Sequence, residues 1–455
     1  MMRAQSFFFP VLALAMGSLA GCAGTPIAAE KTARDQIARI GTELRPRATK
    51  PALPALGLGS PPAEFIRYAV LNHPAVEAAY HDWRAAVLDI TRARSLPDPQ
   101  FTFEADITDT LMTFMPGVMF DLTAPRKRAA LGREAAATGD VAYRAYAAVV
   151  SRTAAEVRKA WIELAYAQEA RGLYMDSVRI LEQALALSGV DYATGRMMGS
   201  LEAQVRLKNQ IAEHHTHHLV LTDRLVAAWA RFKAALGITP SDPNPAWPHA
   251  TLEATALPDD DELWRRLLAR NAELAKMRAM VAMAVASVET ARTSRTPDFS
   301  LGAMADLRAN PLLVRPTATL TLPVWRDKIA ATIAAAEARH DAAIARVSAE
   351  QLTLAAELAQ SLFMVRDADR MITYIDDTAL PNLSRLAASV EAGYQSGSGS
   401  AAMITDAQHM PVLMRLERLK ALQERENAVV DLLLLTADAA PSDVPLLADA
   451  ATPPR

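Results

Sequence analysis

The chain has 455 residues, of which 51% are hydrophobic and 22% charged, with a formal net charge of −3. That balance excludes a basic nucleic-acid-binding surface, and no basic stripe with interleaved aromatics occurs. A single cysteine, Cys22, excludes an internal disulfide and any cysteine metal cluster.

The chain opens with Arg3 followed by an apolar run from Phe7 to Met16, too short to span a bilayer. Leu19-Ala20-Gly21-Cys22 then resembles a bacterial lipoprotein cleavage site, which implies cleavage before Cys22 and lipid on its sulfur. Residues 1–21 are therefore expected to be a signal peptide, and 22–62 a lipid-anchored tether. Pro46, Pro51, Pro54, Pro61 and Pro62 with Gly57 and Gly59 argue against a long helix in that tether. No later segment has the ~20 apolar residues of a membrane-spanning helix, so any span must be made of strands.

From Pro62 to Arg94 apolar residues recur at helical spacing, and Pro74 should kink or break the helix. Phe101, Phe103, Ala105 and Ile107 alternate with polar residues, as do Val118, Phe120 and Leu122. This predicts a hairpin over 101–123, with Met115-Pro116-Gly117 marking its turn. From Arg126 to Ala193 no proline or glycine run intervenes, and a single helix of that length reaches roughly 100 Å. Such a helix must pack laterally on others. Residues 195–199 break it, and Leu201 to Leu236 returns, with Gly237 as the C-terminal cap.

The plan then repeats. Residues 239–261 form a proline-rich linker, 262–293 read as helix and Phe299 to Leu322 as a second hairpin. A second long helix follows from Trp325 to Glu391, interrupted at Pro381, and Ala401 to Ala437 returns. Pro116, Leu122 and Arg126 are echoed by Pro316, Leu322 and Arg326, each 200 residues later. Two repeats, 63–238 and 262–438, are thus expected, with a disordered tail over 439–455. The fold class is mainly α with a small β part, built from a duplicated unit of helix, β-hairpin, long helix and returning helix.

The Pro-Asp before each first strand, the long helix after each hairpin and the Tyr-x-x-Gly tips at Tyr192 and Tyr394 together resemble the TolC family of outer-membrane efflux proteins. Leu201-Glu202-Ala203-Gln204 and Ile404-Thr405-Asp406-Ala407-Gln408 after the tips match as well. The resemblance implies a homotrimer in which each protomer gives strands to a shared outer-membrane barrel and helices to a periplasmic tunnel. It also implies a periplasmic adaptor and, through it, an inner-membrane pump. The function implied is a passive, gated conduit rather than an enzyme, with no cofactor. A lipid-anchored periplasmic tube that does not perforate the membrane, or a type I protein-secretion conduit, are the alternatives.

Carried onto this sequence, the adaptor-contacting tips are Gly195, Arg196, Met197, Gly199 and Ser200, and Gly397, Ser398, Gly399 and Ser400. The bland alternative is that they are only turns. Asp406 matches the family's acidic gate, where threefold symmetry brings carboxylates into mutual repulsion; otherwise it is a surface carboxylate. His214 and His218, one helical turn apart, are a candidate metal pair, and Met277, Met280 and Met283 a softer one. Packing is the stronger explanation of both groups, since a two-His pair is an incomplete site and Met at spacing three usually packs. Glu77, His81 and Asp82 form no recognisable catalytic set.

Overall fold

The computed structural model describes residues 26–44, 56–57, 59–108, 111–193, 201–239, 250–307, 311–396 and 401–438. The elements in chain order are α1 (Ala28–Leu44), α2 (Pro62–Asn72), α3 (Pro74–Arg94), β1 (Gln100–Thr108), β2 (Leu111–Leu122), α4 (Pro125–Ala193) and α5 (Leu201–Ala235). There follow α6 (Asp260–Arg270), α7 (Ala272–Arg292), a short 3-10 turn, β3 (Asp298–Asp306), β4 (Leu313–Thr321), α8 (Arg326–Tyr374), a π-turn (Ile375–Ala379), α9 (Leu380–Gln395) and α10 (Ala401–Leu435). The order helix, helix, two strands, long helix, returning helix thus occurs twice. No described helix is long and apolar enough to cross a membrane.

The segment 22–62 is not extended throughout, because it contains the 17-residue α1. Pro26 precedes α1 and the next proline, Pro46, follows it, so none interrupts the helix. Burial holds it in place. Ile37 and Ile40 are buried, Tyr80 donates its hydroxyl to the Ile37 carbonyl at 3.1 Å, and Glu30 is fully buried. Glu30 accepts from Thr91 at 2.7 Å and from Arg94 Nε at 2.6 Å, and pairs with Arg34 at 2.8 Å. Burial pushes this carboxyl up, but the hydrogen bonds from Arg94 and Thr91 and the charges of Arg94 and Arg34 outweigh it, and its pKa lies below the ordinary 4.5.

The helix over 62–94 breaks at His73, as Pro74 requires. His73 takes an extended conformation (ψ 125°), and Pro62 sits in the first turn, where its missing N–H costs nothing. The second repeat breaks at Asn271 with no proline present. Asp259 caps α6 by accepting from the Glu262 N–H at 2.7 Å, and Asn271 ends it at ψ 125°. The buried Asn271 amide donates to the Leu435 carbonyl at 3.0 Å. Asn72 makes the matching bonds to the Leu236 and Gly237 carbonyls at 3.3 and 3.0 Å. Each asparagine satisfies carbonyls left open at the end of a returning helix.

Gly237 caps α5 as expected. It has φ +70°, its N–H reaches the Ala234 carbonyl at 2.9 Å, and Ile238 N–H reaches Lys233 at 3.0 Å, a Schellman arrangement. Pro381 does not interrupt the second long helix. A π-turn absorbs it: the Leu380 N–H reaches back to Ile375, and the helix continues as α9. Within the π-turn, Asp376 accepts from Arg418 Nε at 2.7 and 2.9 Å. The wider turn accommodates a residue that lacks the N–H for an ordinary helical bond.

Two compact units result, and each takes segments from both repeats. One comprises Met1–Thr42, Ala78–Tyr146 and Glu273–Gln351 and contains the sheet. Its helical core is aromatic: Trp83 stacks on Tyr146 at 5.6 Å and lies 5.0 Å from Tyr143. The other comprises Glu43–Glu77, Ala147–Ala272 and Leu352–Arg455. There Phe65 packs on Trp161 at 5.4 Å and Phe232 at 5.3 Å. Such ring pairs contribute about 1 kcal/mol each beyond the area they bury.

Candidate channel wall and helix ends

The four strands form one antiparallel sheet in the order β1-β2-β3-β4. Its register sorts the side chains by polarity. Phe101 is opposite Val118, which is opposite Ala303 and then Pro316. Leu122 is opposite Phe299 and then Leu320, and Phe120 is opposite Leu301. This face is apolar, and Phe101, Phe103, Phe299 and Leu301 are each about half exposed or more (61, 59, 48 and 50%). The opposite face carries Thr102, Met119, Asp121, Ser300, Thr317 and Thr319. There Asp121 accepts from Gln100 at 2.9 Å and Ser300 at 2.6 Å across three strands. A soluble half-buried sheet hides its apolar face. This one exposes it and keeps hydrogen-bonding groups on the other face, the pattern of a barrel wall in lipid.

The strands have 9, 12, 9 and 9 residues. A nine-residue strand is about 30 Å long, and tilted by about 40° it rises about 23 Å, close to the apolar band of an outer-membrane barrel. The turn does not fall at Met115-Pro116-Gly117. These residues lie inside β2, with Pro116 opposite Phe103. The β2–β3 ladder begins only at Gly117, so Pro116 sits where β2 is paired on one side alone, and Pro316 lies on edge strand β4. Gly117 is needed for close approach: a Cβ there would meet Met304 Cγ at 2.6 Å and the Ala303 carbonyl at 2.9 Å. At the foot of the sheet Lys127 of α4 pairs with Asp298 of β3 at 2.6 Å.

Cys22, the tip residues Gly195, Arg196, Met197, Gly199, Ser200, Gly397, Ser398, Gly399 and Ser400, and the tail 439–455 lie outside the described residues. Asp406 is exposed near the start of α10. Its neighbours Thr405 and Ala407 are buried.

His214 and His218 each have a neighbour other than a metal in this structure. The His214 ring is buried and shares a short contact with Ser177 of α4, Nδ1 to Oγ 2.9 Å. His218 stacks on His215 at 6.2 Å. Met277, Met280 and Met283 are partly buried on α7. Among the described residues no group of three or more His, Cys, Asp or Glu is arranged to hold a metal. His409 of α10 meets the same serine, Nε2 to Oγ 2.7 Å, a contact that sequence reasoning missed. A lone histidine 195 residues beyond His214 carries no local signal of that meeting.

A sheet with an exposed apolar face, joined to long paired helices, is matched by sequence too. Residues 263–438 match the family model described as outer membrane efflux protein. Residues 263–438 are thus similar to an outer membrane efflux protein domain. No curated protein matches the chain in sequence. Solved structures match most of it. The outer-membrane channel OprN superposes with a TM-score of 0.71 at 15% identity, over 84% of this chain and 91% of its own. CusC gives 0.69 at 16% identity, over 86% and 95%. The open state of the MtrE outer membrane channel of Neisseria gonorrhoeae gives 0.68 at 15% identity, over 87% and 94%. At these identities the likeness establishes the fold. The shared fold takes in the first repeat as well as residues 263–438.

Proposed function

We propose that this protein is the outer-membrane channel of a tripartite efflux system, a passive gated conduit that exports small molecules or metal ions from the periplasm. The observation that carries the reading is the sheet: its lipid-compatible face is exposed, and its edge strands β1 and β4 are each paired on one side only. Unpaired ladders are not tolerated in hydrocarbon, so the wall must close on itself with further copies. Three copies, with β4 of one pairing to β1 of the next, make a closed barrel with polar residues inside. Exposed apolar residues along α8, such as Ile344, Leu352 and Phe363, supply lateral surface for the same assembly.

Lipid on Cys22 fits this arrangement. Cys22 lies eight residues before Glu30, a reach of at most about 28 Å. Glu30 is fixed to Arg94, at the end of the helix that leads into β1. The anchor and the strands then enter the same membrane. The tips at 195–200 and 397–400 meet a periplasmic adaptor, which links the channel to an inner-membrane pump. Asp406, exposed just beyond the second tip, contributes an acidic ring to the closed end of the trimer.

Planar-bilayer recording of the purified protein tests this reading. Discrete conductance steps are expected from a cross-linkable trimer, with trivalent cations blocking the wild type and blocking Asp406→Ala more weakly. A trimer that inserts but never conducts would make the protein a lipid-anchored scaffold. Unchanged block in Asp406→Ala would move the gate elsewhere.

A further inference from the structure

We propose that Ser177, His214 and His409 form an acid-sensitive clasp that joins α4, α5 and α10 at neutral pH and lets them part on acidification. One serine oxygen lies within 2.9 Å of His214 Nδ1 and 2.7 Å of His409 Nε2. Ser177 is fully buried, and His214 and His409 are 8% and 5% exposed. The two imidazole rings are 4.9 Å apart at 62°. Each of the three residues comes from a different helix, so the hydroxyl is a single point on which three helices are tied.

Proton counting gives the clasp its pH dependence. A serine hydroxyl has one proton to donate and lone pairs to accept. It can donate to the bare nitrogen of one ring while accepting the N–H of the other. That state needs at least one neutral imidazole. When both rings are protonated, both present N–H groups to the oxygen, and the hydroxyl proton loses its acceptor in this cluster. Two positive charges then face each other in a buried site.

The surrounding groups do not cancel this. On α4, the Tyr174 ring lies edge-on to His214 at 5.5 Å, and Asp176 and Arg179 are exposed and paired to each other at 3.2 Å. On α5, Glu213 is exposed and approaches His217 at 4.0 Å, while His217 stacks on Tyr174 at 5.1 Å. On α10, Asp406 is exposed. The three nearby carboxylates, Asp176, Glu213 and Asp406, are therefore screened by water and salt. Burial is the largest influence on both rings and holds each below the ordinary 6.5. Glu213 works against it at His214, while His217 adds to it. At His409 the charge of His214 adds to it and Asp406 opposes it.

The sign follows from linkage. A histidine depressed in the clasped state binds fewer protons there than in the opened state at pH values just under 6.5. The clasped state is at full strength above that value and weakens as pH falls through the depressed values. The surrounding structure makes release visible. Pro411, two residues past His409, leaves the Ala407 carbonyl without its helical N–H partner, so the first turns of α10 depend on lateral contacts.

Hydrogen exchange of the purified full-length protein, compared at pH 7.5 and pH 5.0 after correction for intrinsic rates, tests the clasp. In the wild type, exchange in segments 170–185, 205–218 and 401–412 should rise about tenfold at pH 5.0. The pH response should vanish in His214→Asn, whose amide replaces Nδ1, and in His409→Gln, whose amide replaces Nε2, because neither titrates. Protection at pH 7.5 should stay near wild type in both. Equal protection of the wild type at the two pH values overturns the proposal, and so does a pH response that survives in either variant. If a variant does not fold, the imidazole proton resonances of the wild-type protein decide. Two histidines must titrate over the same range in which the three segments open, and titration at the ordinary value without opening overturns the clasp. Channel conductance enters none of these readouts, so the outcome stands apart from the transport reading.

Discussion

Gly237 and Ala437, at matching positions 200 residues apart, end the two returning helices in the same left-handed conformation, with φ +70° and +60°. The hydrogen bonds match: Ile238 reaches Lys233 at 3.0 Å, and Asp438 reaches Leu433 at 2.8 Å. Only the first cap uses glycine. A Cβ on Gly237 would meet the His73 Cα at 2.7 Å, in addition to the strain of φ +70°. Gly237→Ala should destabilise the protein by about 2 kcal/mol, and Ala437→Gly should stabilise it by up to about 1 kcal/mol. Thermal melts of the two variants should therefore move in opposite directions. A fall for both would show that the second cap depends on its Cβ.

Asn271 breaks the helix ahead of the second hairpin by tertiary contact rather than by proline. Its buried amide meets the Leu435 carbonyl at 3.0 Å. Asn271→Ala leaves that carbonyl unsatisfied and should cost about 1–3 kcal/mol. Asn271→Asp keeps the shape but replaces the donating N–H with an oxygen, and should be at least as damaging. Denaturant midpoints for the pair check this, and a neutral Asn271→Ala would mean the break is set elsewhere.

Glu30 anchors α1 through Thr91, Arg94 and Arg34. Its carboxyl is depressed in the folded chain, so its contribution is complete above the ordinary 4.5 and is lost as pH falls through the folded value. Glu30→Gln should cost the docking of α1 about 2 kcal/mol at pH 7. Limited proteolysis within 28–44 reads this directly: faster cleavage of the variant at pH 7 is expected, with the difference shrinking below pH 4.5. Equal rates at pH 7 would mean that apolar burial alone holds the helix.

The π-turn Ile375–Ala379 places one extra residue in the long helix before the second tip. Pro381→Ala restores an N–H and allows ordinary α-helical bonding. The expected result is a protein of equal or higher thermal stability with impaired efflux, because the helix beyond 380 rotates relative to Arg418 and Asp376. Substrate sensitivity of cells carrying the variant, with trimer level controlled, measures this. Full efflux with the π-turn removed would show that the tip tolerates the rotation.

Much of this protein was written locally. The 69-residue α4 follows from an uninterrupted run of helix formers, the break at His73 from Pro74, the cap at Gly237 from glycine itself, and both hairpins from period-two alternation. The duplicated order of these signals carried the resemblance to the channel family. Each of these features depends on the backbone chemistry of a few neighbouring residues, so the sequence determined it alone.

Other features depended on partners far away in the chain. Helix α1 forms because Glu30 and Ile37 find Arg94, Thr91 and Tyr80, and the break at Asn271 because Leu435 waits for its amide. Pro116 looked like a turn residue, but the ladder with Phe103 runs through it. Alternation also could not say which face of the sheet would be exposed. Meeting points such as Ser177 between His214 and His409 leave no spacing to read, because three helices converge on them from distant parts of the chain. Tertiary packing decided these, since the free energy of a buried polar contact resides in the pair and in neither residue by itself.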